Sequence, residues 1–217
     1  MPGWIHLLAL CAVTCFAADE DLFRDPFKSK LGDGWWWLRE HRNAWRVTER
    51  GLEVRIEPGN MWGPANDAKN VLLRTAPDSA TSEIEISVNV ENRPTGQYEQ
   101  VDLVWYYSDG HMVKLGQELV DGKLSIVMGR EEQDKTRTIA IIPLDSFSVR
   151  LCLSVKAARI RGRFRAPDSD QWRAAGECDL PIPPDGQARI SLQFYQAPAD
   201  VEHWARVTDF RIRSIGG

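Results

Sequence analysis

The chain has little excess charge of either sign. Its 217 residues include 27 Lys and Arg against 31 Asp and Glu, a formal net charge of -4. The one basic block is the alternating set Arg159, Arg161, Arg163 and Arg165. Nucleic-acid-binding domains concentrate positive charge far more strongly than this. We therefore expect no nucleic-acid partner.

Residues that bind metals or activate nucleophiles are also few. The four histidines, His6, His41, His111 and His203, are scattered, without the close spacing of a zinc site. No Gly-x-Ser-x-Gly elbow and no glycine-rich phosphate loop occurs. We expect no metal centre and no cofactor. Calcium held by loop oxygens stays possible, although no Asp-rich loop of recognisable spacing is present.

The first 18 residues contain no Asp, Glu, Lys or Arg and end in the small residues Ala17 and Ala18. This is the layout of a secretory signal peptide cleaved near those alanines. The apolar run is shorter than the ~20 residues that span a bilayer. We expect a secreted or periplasmic protein without membrane contact after cleavage. The alternative is that this segment is a buried first strand.

Cysteine is scarce. Of the four cysteines, Cys11 and Cys15 would leave with the signal peptide, and Cys152 and Cys178 would remain. Two cysteines in an exported domain usually form a disulfide. The bridge would close a loop of ~25 residues and contribute roughly 3 kcal/mol. The alternative is two separate buried thiols.

Helical periodicity is scarce, whereas apolar residues recur at every second position. The alternating segments are 52–57, 83–91, 100–107, 149–156 and 159–165. Turn-forming residues lie between them, at 93–96, 108–110, 121–122, 167–168 and 183–186. Strands of this number and spacing form two stacked antiparallel sheets or a barrel. The sequence predicts one all-β sandwich domain over residues 19–217.

One predicted hairpin collects polar residues on a single face. The turn at 108–110 joins segments 100–107 and 111–118. Because side chains alternate along a strand, Asp102, Tyr106, Lys114 and Glu118 should share one face of the sheet. Exposed ion pairs on such a face contribute only ~0.2–1 kcal/mol. The face becomes a binding site only if it is concave.

Aromatic residues are the feature in which the chain is rich. It has nine tryptophans, eight of them after the first 18 residues. Sugars present apolar C–H faces and hydroxyl rims, which stacking aromatics and planar polar groups recognise. We expect Trp36 and Trp105 in the core. Trp62, in the loop 59–64, is predicted to face a ligand.

Several motifs occur in an order and spacing that point to a known family. They lie at 35–40, 45–47, 51–54, 70–74, 99–107, 113–115, 149–151, 162–165, 172 and 205–212. With these motifs, residues 30–213 resemble the concanavalin-A-like domain at the C-terminus of β-xylosidases and the related regulation-of-enolase group. The resemblance implies a jelly-roll sandwich of two curved antiparallel sheets. It also implies an association with carbohydrate, as a binding module or as a wall that completes a hydrolase pocket.

The leading hypothesis is therefore a secreted, non-catalytic domain that binds a poly- or oligosaccharide. Trp62 is its predicted stacking platform, and Asn70 and Arg74 its hydroxyl partners. The face of Asp102, Tyr106, Lys114 and Glu118 is the predicted floor.

Two alternatives remain open. The first is a glycoside hydrolase that uses strand-face carboxylates, with Glu85 and Glu118 as the pair. The second is a structural or protein-interaction module, which a flat and filled face would favour.

Overall fold

The computed structural model describes residues 19–216, and within them nearly every element is a β-strand. A single 3-10 turn, Arg42–Ala44, interrupts the strands. The described residues include no helix long and apolar enough to cross a membrane. The predicted signal peptide, residues 1–18, lies outside the described residues, and export stays a prediction.

Fifteen strands follow one another along the described chain. They are β1 (Glu20–Asp25), β2 (Trp36–Leu38), β3 (Trp45–Thr48), β4 (Gly51–Arg55), β5 (Val71–Thr75), β6 (Glu83–Glu91), β7 (Gln100–Ser108), β8 (His111–Val120), β9 (Lys123–Glu132), β10 (Lys135–Pro143), β11 (Ser148–Lys156), β12 (Arg159–Arg165), β13 (Arg173–Asp179), β14 (Arg189–Tyr195) and β15 (Trp204–Ile215).

The strands form two antiparallel sheets. The eight-stranded sheet has the order β13-β12-β11-β6-β15-β4-β3, and β1 pairs with β15 beside β4. The seven-stranded sheet has the order β10-β9-β8-β7-β14-β5-β2. The two sheets stack face to face, which confirms the predicted all-β sandwich.

The core lies between the sheets and is built from the predicted alternating residues. In β7, for example, Val101, Leu103 and Trp105 point into the main apolar cluster, and Trp105 is 1% exposed. Trp36 departs from the prediction, since it is 41% exposed. Its neighbours Trp35 and Trp37 pack against the core. Because side chains alternate along an extended strand, Trp36 must point the other way.

The predicted disulfide is wrong, because Cys152 and Cys178 are separate buried thiols. Cys152 on β11 lies opposite Arg163 of β12, on the outer face of the eight-stranded sheet. Cys178 on β13 lies opposite Ile160 and packs into the core between the sheets. The two side chains therefore point to opposite faces of the sheet, and a disulfide needs Cβ atoms about 4 Å apart.

The segment between β4 and β5, residues 56–70, lies across the outer face of the seven-stranded sheet. We call it the covering loop. Its Met61 and Ala68 pack with Val104, Met112 and Tyr195 in a second apolar cluster outside the main core. The loop therefore buries part of a sheet face that would otherwise be open, and its margin forms one wall of a pocket.

Candidate functional site

A pocket of about 520 Å³ opens on the outer face of the seven-stranded sheet, beside the covering loop. Its volume lies within the range of roughly 300–1,000 Å³ that is usual for small-ligand sites. The residues that line it are Asn60, Trp62, Tyr98, Lys114, Glu118, Val120, Asp121, Val127, Thr138, Ile141 and Gln196.

The β7–β8 hairpin supplies the floor of this pocket. In its register Asp102 lies opposite Gly116 and Gln100 opposite Glu118. Asp102, Tyr106, Lys114 and Glu118 therefore share one face, as their alternation predicts. Only Lys114 and Glu118 line the pocket. Tyr106 belongs to the apolar cluster beneath the covering loop, and Asp102 is fully buried.

Lys114 is a buried cation, 2% exposed, surrounded by acceptors. Its Nζ donates to Glu118 Oε2 at 3.1 Å and to the amide oxygen of Gln100. Asp102 Oδ2 lies 3.8 Å away. A buried ammonium is tolerated only when it is paired and hydrogen-bonded. These partners therefore fix the position of Lys114 at the bottom of the pocket.

Asp102 reaches this cluster because its neighbour on β8 is a glycine. A Cβ on Gly116 would lie 1.6 Å from Asp102 Oδ1. Asp102 Oδ2 accepts a hydrogen bond of 2.9 Å from the Tyr195 hydroxyl. Burial raises the pKa of Asp102 to about 6, and the negative charge of Glu118 adds to this, while Lys114 and Tyr195 oppose it. The cluster therefore holds a carboxyl group that changes charge in mildly acidic solution.

Trp62 forms the wall of the pocket on the side of the covering loop. Its backbone is fixed by Asn60, which accepts from Trp62 N at 2.9 Å and donates to Trp62 O at 2.8 Å. The indole packs directly over Gly129, where a Cβ would lie 2.4 Å from the ring carbon Cη2. Lys114 Nζ lies 4.8 Å from the ring centroid, a cation–π distance. The ring is held in place on the sheet and partly exposed to the pocket.

Glu131 is a third buried acid on this face, after Asp102 and Glu118, and the sequence reasoning missed it. Both of its carboxylate oxygens accept from the Gly63 amide of the covering loop, at 3.1 and 3.2 Å. Burial raises its pKa to about 7, and that hydrogen bond opposes the rise. Extending the alternation of β8 across the turn at 121–122 would have placed Glu131 on this face, since it lies opposite Met112.

The outer rim of the pocket is aromatic and aliphatic. Tyr98 is 45% exposed and Ile141 is 52% exposed. Tyr98 precedes β7 in a turn, with a positive φ of 66°. The sequence reasoning missed it because it lies outside the alternating segments. Together with Trp62, it gives the lining of the pocket two aromatic rings.

Two predicted hydroxyl partners lie away from this pocket. Asn70 is buried, and its side-chain oxygen accepts from His41 N at 2.7 Å. The Arg74 side chain turns towards the main core, with its guanidinium carbon 3.3 Å from the Phe23 ring centroid. Its Nη1 donates to Asp33 O at 2.6 Å. Both side chains have structural partners instead.

The structure also separates the predicted hydrolase pair. Glu85 lies on the outer face of the eight-stranded sheet, bound to Arg163 at 2.6 Å. Glu118 lies on the outer face of the other sheet. Stacked sheets are ~10 Å apart, whereas the two acids of a glycosidase are separated by about 5–9.5 Å across one bond. Glu85 and Glu118 therefore cannot act on the same glycosidic bond.

Metal-ligating side chains do not converge in the described part of the chain. Among residues 19–216, no group of three or more His, Cys, Asp or Glu side chains is placed to hold a metal ion. Calcium bound through loop carbonyl oxygens is a different arrangement, and it stays an untested expectation.

Comparisons with known proteins identify the fold. No family model and no curated protein matches the sequence. Two Bacillus chains are similar over part of their length. The GH43 BlXynB protein from Bacillus licheniformis matches 89% of this chain and 39% of its own, with 16% identity and a TM-score of 0.78. The xylan beta-1,4-xylosidase from Bacillus halodurans C-125 matches 87% of this chain and 38% of its own, with 16% identity and a TM-score of 0.74.

A third structure is similar over nearly its whole length. It is a functionally unknown protein from Saccharomyces cerevisiae, with 13% identity, a TM-score of 0.67, and coverage of 85% of this chain and 98% of that chain. At these identities the likeness shows the fold alone. This chain therefore has the jelly-roll sandwich fold found in part of GH43 chains, and it spans about two fifths of the two Bacillus chains.

Proposed function

We propose that this chain is a non-catalytic carbohydrate-binding domain that takes a poly- or oligosaccharide into the pocket between Trp62 and Tyr98. The observation that carries the proposal is the pairing of two partly exposed aromatic rings with buried polar groups in one cavity of about 520 Å³. Sugar rings stack their C–H faces on aromatics and direct their hydroxyl groups to polar partners.

The polar lining supports a neutral, hydroxyl-rich ligand. Asn60, Thr138 and Gln196 offer amide and hydroxyl groups that can both donate and accept. At the floor, Glu118 and Lys114 neutralise one another at 3.1 Å. A sugar hydroxyl can donate to the carboxylate, so these two residues replace Asn70 and Arg74 in the predicted binding role.

The partners and the burial of Asp102 and Glu118 support binding without hydrolysis. Glu118 is held by Lys114, and Asp102 is fully buried and bound to Tyr195. A glycosidase needs two carboxyl groups that reach opposite sides of one bond. Asp102 has no exposed surface through which to reach a sugar in the pocket, and Glu118 already pairs with Lys114.

The fold neighbours support a saccharide as the ligand class. One of them is a xylan beta-1,4-xylosidase. Xylo-oligosaccharides are therefore the first ligands to test, followed by neutral glucans and mannans. The proposed location is secreted or periplasmic, where such polymers occur.

The test is affinity gel electrophoresis and titration calorimetry with Trp62→Ala and Tyr98→Ala. We expect Trp62→Ala to weaken binding by at least tenfold, since burial of a large apolar side chain contributes about 1.5–3 kcal/mol. The matched control is Trp36→Ala, which removes an exposed indole elsewhere on the sandwich and should leave affinity unchanged.

Three results would contradict the proposal. Equal retardation of Trp62→Ala and the parent protein would remove Trp62 from the site. Release of reducing sugar that disappears in Glu118→Gln would show catalysis. Binding to none of the glycans would favour the structural or protein-interaction alternative.

A further inference from the structure

A second cleft, of about 260 Å³, lies on the outer face of the eight-stranded sheet, on the opposite side of the sandwich from the pocket of Trp62. The residues that line it are Glu85, Ser87, Arg150, Arg165, Trp172, Asp209, Arg211 and Arg213. Four of these eight are arginines and two are acids. We call it the arginine cleft.

Strand register explains why arginines collect here. Arg150 on β11 lies opposite Asn89 of β6 and Arg165 of β12. On β15, Arg211 lies opposite Ser87. Directly opposed residues in an antiparallel pair point to the same face. Side chains from four adjacent strands therefore converge, because β12, β11, β6 and β15 are neighbours in the sheet.

The two acids of the cleft are already occupied. Asp209 binds Arg150 at 2.9 Å and Arg211 at 3.1 Å. Glu85 binds Arg163 at 2.6 Å, and Arg213 lies 3.9 Å from it. Arg24 also lies 3.1 Å from Asp209, so this acid is shared among three guanidinium groups and Glu85 between two. Positive charge remains in excess.

At the edge of the cleft, further aspartates reduce this excess of positive charge. Arg213 binds Asp19 at 2.7 Å and Asp21 at 3.4 Å. The exposed Asp170 lies 4.0 Å from Arg165. The field in the centre of the cleft therefore comes from Arg150, Arg165 and Arg211.

Several donors in the cleft lack acceptors. Arg165 donates from Nη1 to the backbone oxygen of Ser169, while its Nη2 makes no hydrogen bond within residues 19–216. Arg211 donates from Nε to Asp209, and its terminal nitrogens make no hydrogen bond within residues 19–216. Burial lowers the pKa of Arg150, Asp209 opposes this, and the charges of Arg211 and Arg165 lower it further. An oxyanion would satisfy the free donors and relieve the crowding of like charges.

One wall of the cleft is an aromatic ring. The guanidinium carbons of Arg163 and Arg165 lie 5.3 and 5.0 Å from the Trp172 ring centroid. Trp172 is only partly buried, so part of the indole remains available to a ligand. An aromatic surface beside free guanidinium donors suits a ring that bears an acidic group, because Arg binds carboxylate and sulfate oxygens in pairs.

We propose that the arginine cleft binds the acidic residue of a charged saccharide, with its carboxylate or sulfate on Arg165 and Arg211 and its ring on Trp172. The cleft and the pocket of Trp62 lie on outer faces of different sheets. This second site is therefore independent of the neutral-sugar site, and either can exist without the other.

The test is titration calorimetry with oligogalacturonate and with its fully methyl-esterified form, which keeps the sugar backbone and removes the charge. A sulfated galactan oligosaccharide and its desulfated form make the same comparison for sulfate. We expect the acidic form of one pair to bind at least tenfold more tightly than its neutral form. Which pair responds identifies the acidic group.

Variants assign that binding to the cleft. Arg211→Gln should weaken the acidic ligand about tenfold, and Trp172→Ala should weaken it severalfold. Asp209 keeps Arg150 and Arg24 as partners in Arg211→Gln, so thermal unfolding should be nearly unchanged. The matched control is Arg137→Gln, an exposed arginine of β10 in the other sheet. Trp62→Ala should leave the acidic ligand bound, which separates this proposal from the first.

Three outcomes would overturn the proposal. The first is equal affinity for the charged and neutral forms of both pairs. The second is an equal loss in Arg211→Gln and Arg137→Gln. The third is tighter binding of a short DNA duplex than of either acidic oligosaccharide, since that would make the cleft a general polyanion surface.

Discussion

Asp102 should make the stability of this protein fall as pH rises through the mildly acidic range. Its pKa in the folded protein is about 6, against an ordinary value of 3.8. Because the folded state holds this proton more tightly than the unfolded chain, protonation stabilises the fold. The stabilisation is fully present below pH 3.8 and is lost as pH rises through about 6.

The replacement Asp102→Asn isolates this effect. Asparagine has nearly the same shape, keeps an acceptor for the Tyr195 hydroxyl, and cannot titrate. A shift of about two pKa units corresponds to roughly 3 kcal/mol, of which roughly 2–3 kcal/mol should be lost between pH 4 and pH 7. We therefore expect the unfolding free energy of the variant, relative to the parent, to improve by that amount from pH 4 to pH 7.

Urea unfolding followed by tryptophan fluorescence at several pH values measures this difference. Other acids, such as Glu53 and Asp209, have lowered pKa values and give the opposite pH slope. They occur in both proteins, so they cancel in the comparison. The control Asp145→Asn makes the same replacement at an exposed loop position. Parallel curves for Asp102→Asn and the parent would refute the reasoning.

Three further results are expected. Gly129→Ala should displace the indole of Trp62, because its Cβ would lie 2.4 Å from the ring, and saccharide binding should fall while circular dichroism keeps its β-sheet form. Cys152 and Cys178 should react with a thiol reagent only after unfolding, and an unfolding midpoint lowered by dithiothreitol would contradict free thiols. Glu99→Gln should lower the free energy of unfolding, measured in urea at pH 7, by roughly 2–4 kcal/mol. The reason is that this fully buried carboxylate accepts several hydrogen bonds. A decrease of less than about 1 kcal/mol would contradict that account.

Strand positions could be predicted because most strands have one apolar and one polar face. The alternation in segment 100–107 was sufficient to assign which residues of β7 enter the core. The same rule, applied across the turn at 108–110, placed Lys114 beside Glu118 on one face. These are local consequences of extended backbone geometry, so no knowledge of distant contacts was needed.

The rule failed where both faces of a strand carry apolar residues. In β5, Val71 and Leu73 pack under the covering loop, while Leu72 packs in the main core. Apolar residues on both faces hide the alternation, and the inward direction of Arg74 could not be predicted. The predicted binding role of Asn70, just before β5, was wrong for a different reason. Its side chain accepts a hydrogen bond from His41, a contact distant in sequence that alternation does not reveal.

The disulfide prediction failed for a different reason. The alternation in segment 149–156 did place Cys152 on the polar face. The strand that contains Cys178 has no clear apolar period, so its facing could not be determined. Loop length and redox compartment do not indicate to which face of a sheet a side chain points. Two cysteines can form a disulfide only when their side chains point towards each other.

Strand β15 has a consequence for how the protein folds as it is synthesised. It joins β6 on one side to β4 and β1 on the other. It is also the last of the described strands to leave the ribosome. Until β15 emerges, β6 cannot be connected to β4 and β1 in one sheet. The unpaired backbone groups along the edge of β6 can then hydrogen-bond to other chains. Completion of the eight-stranded sheet therefore depends on β15, and a chain released before Trp204 would keep the exposed edge of β6.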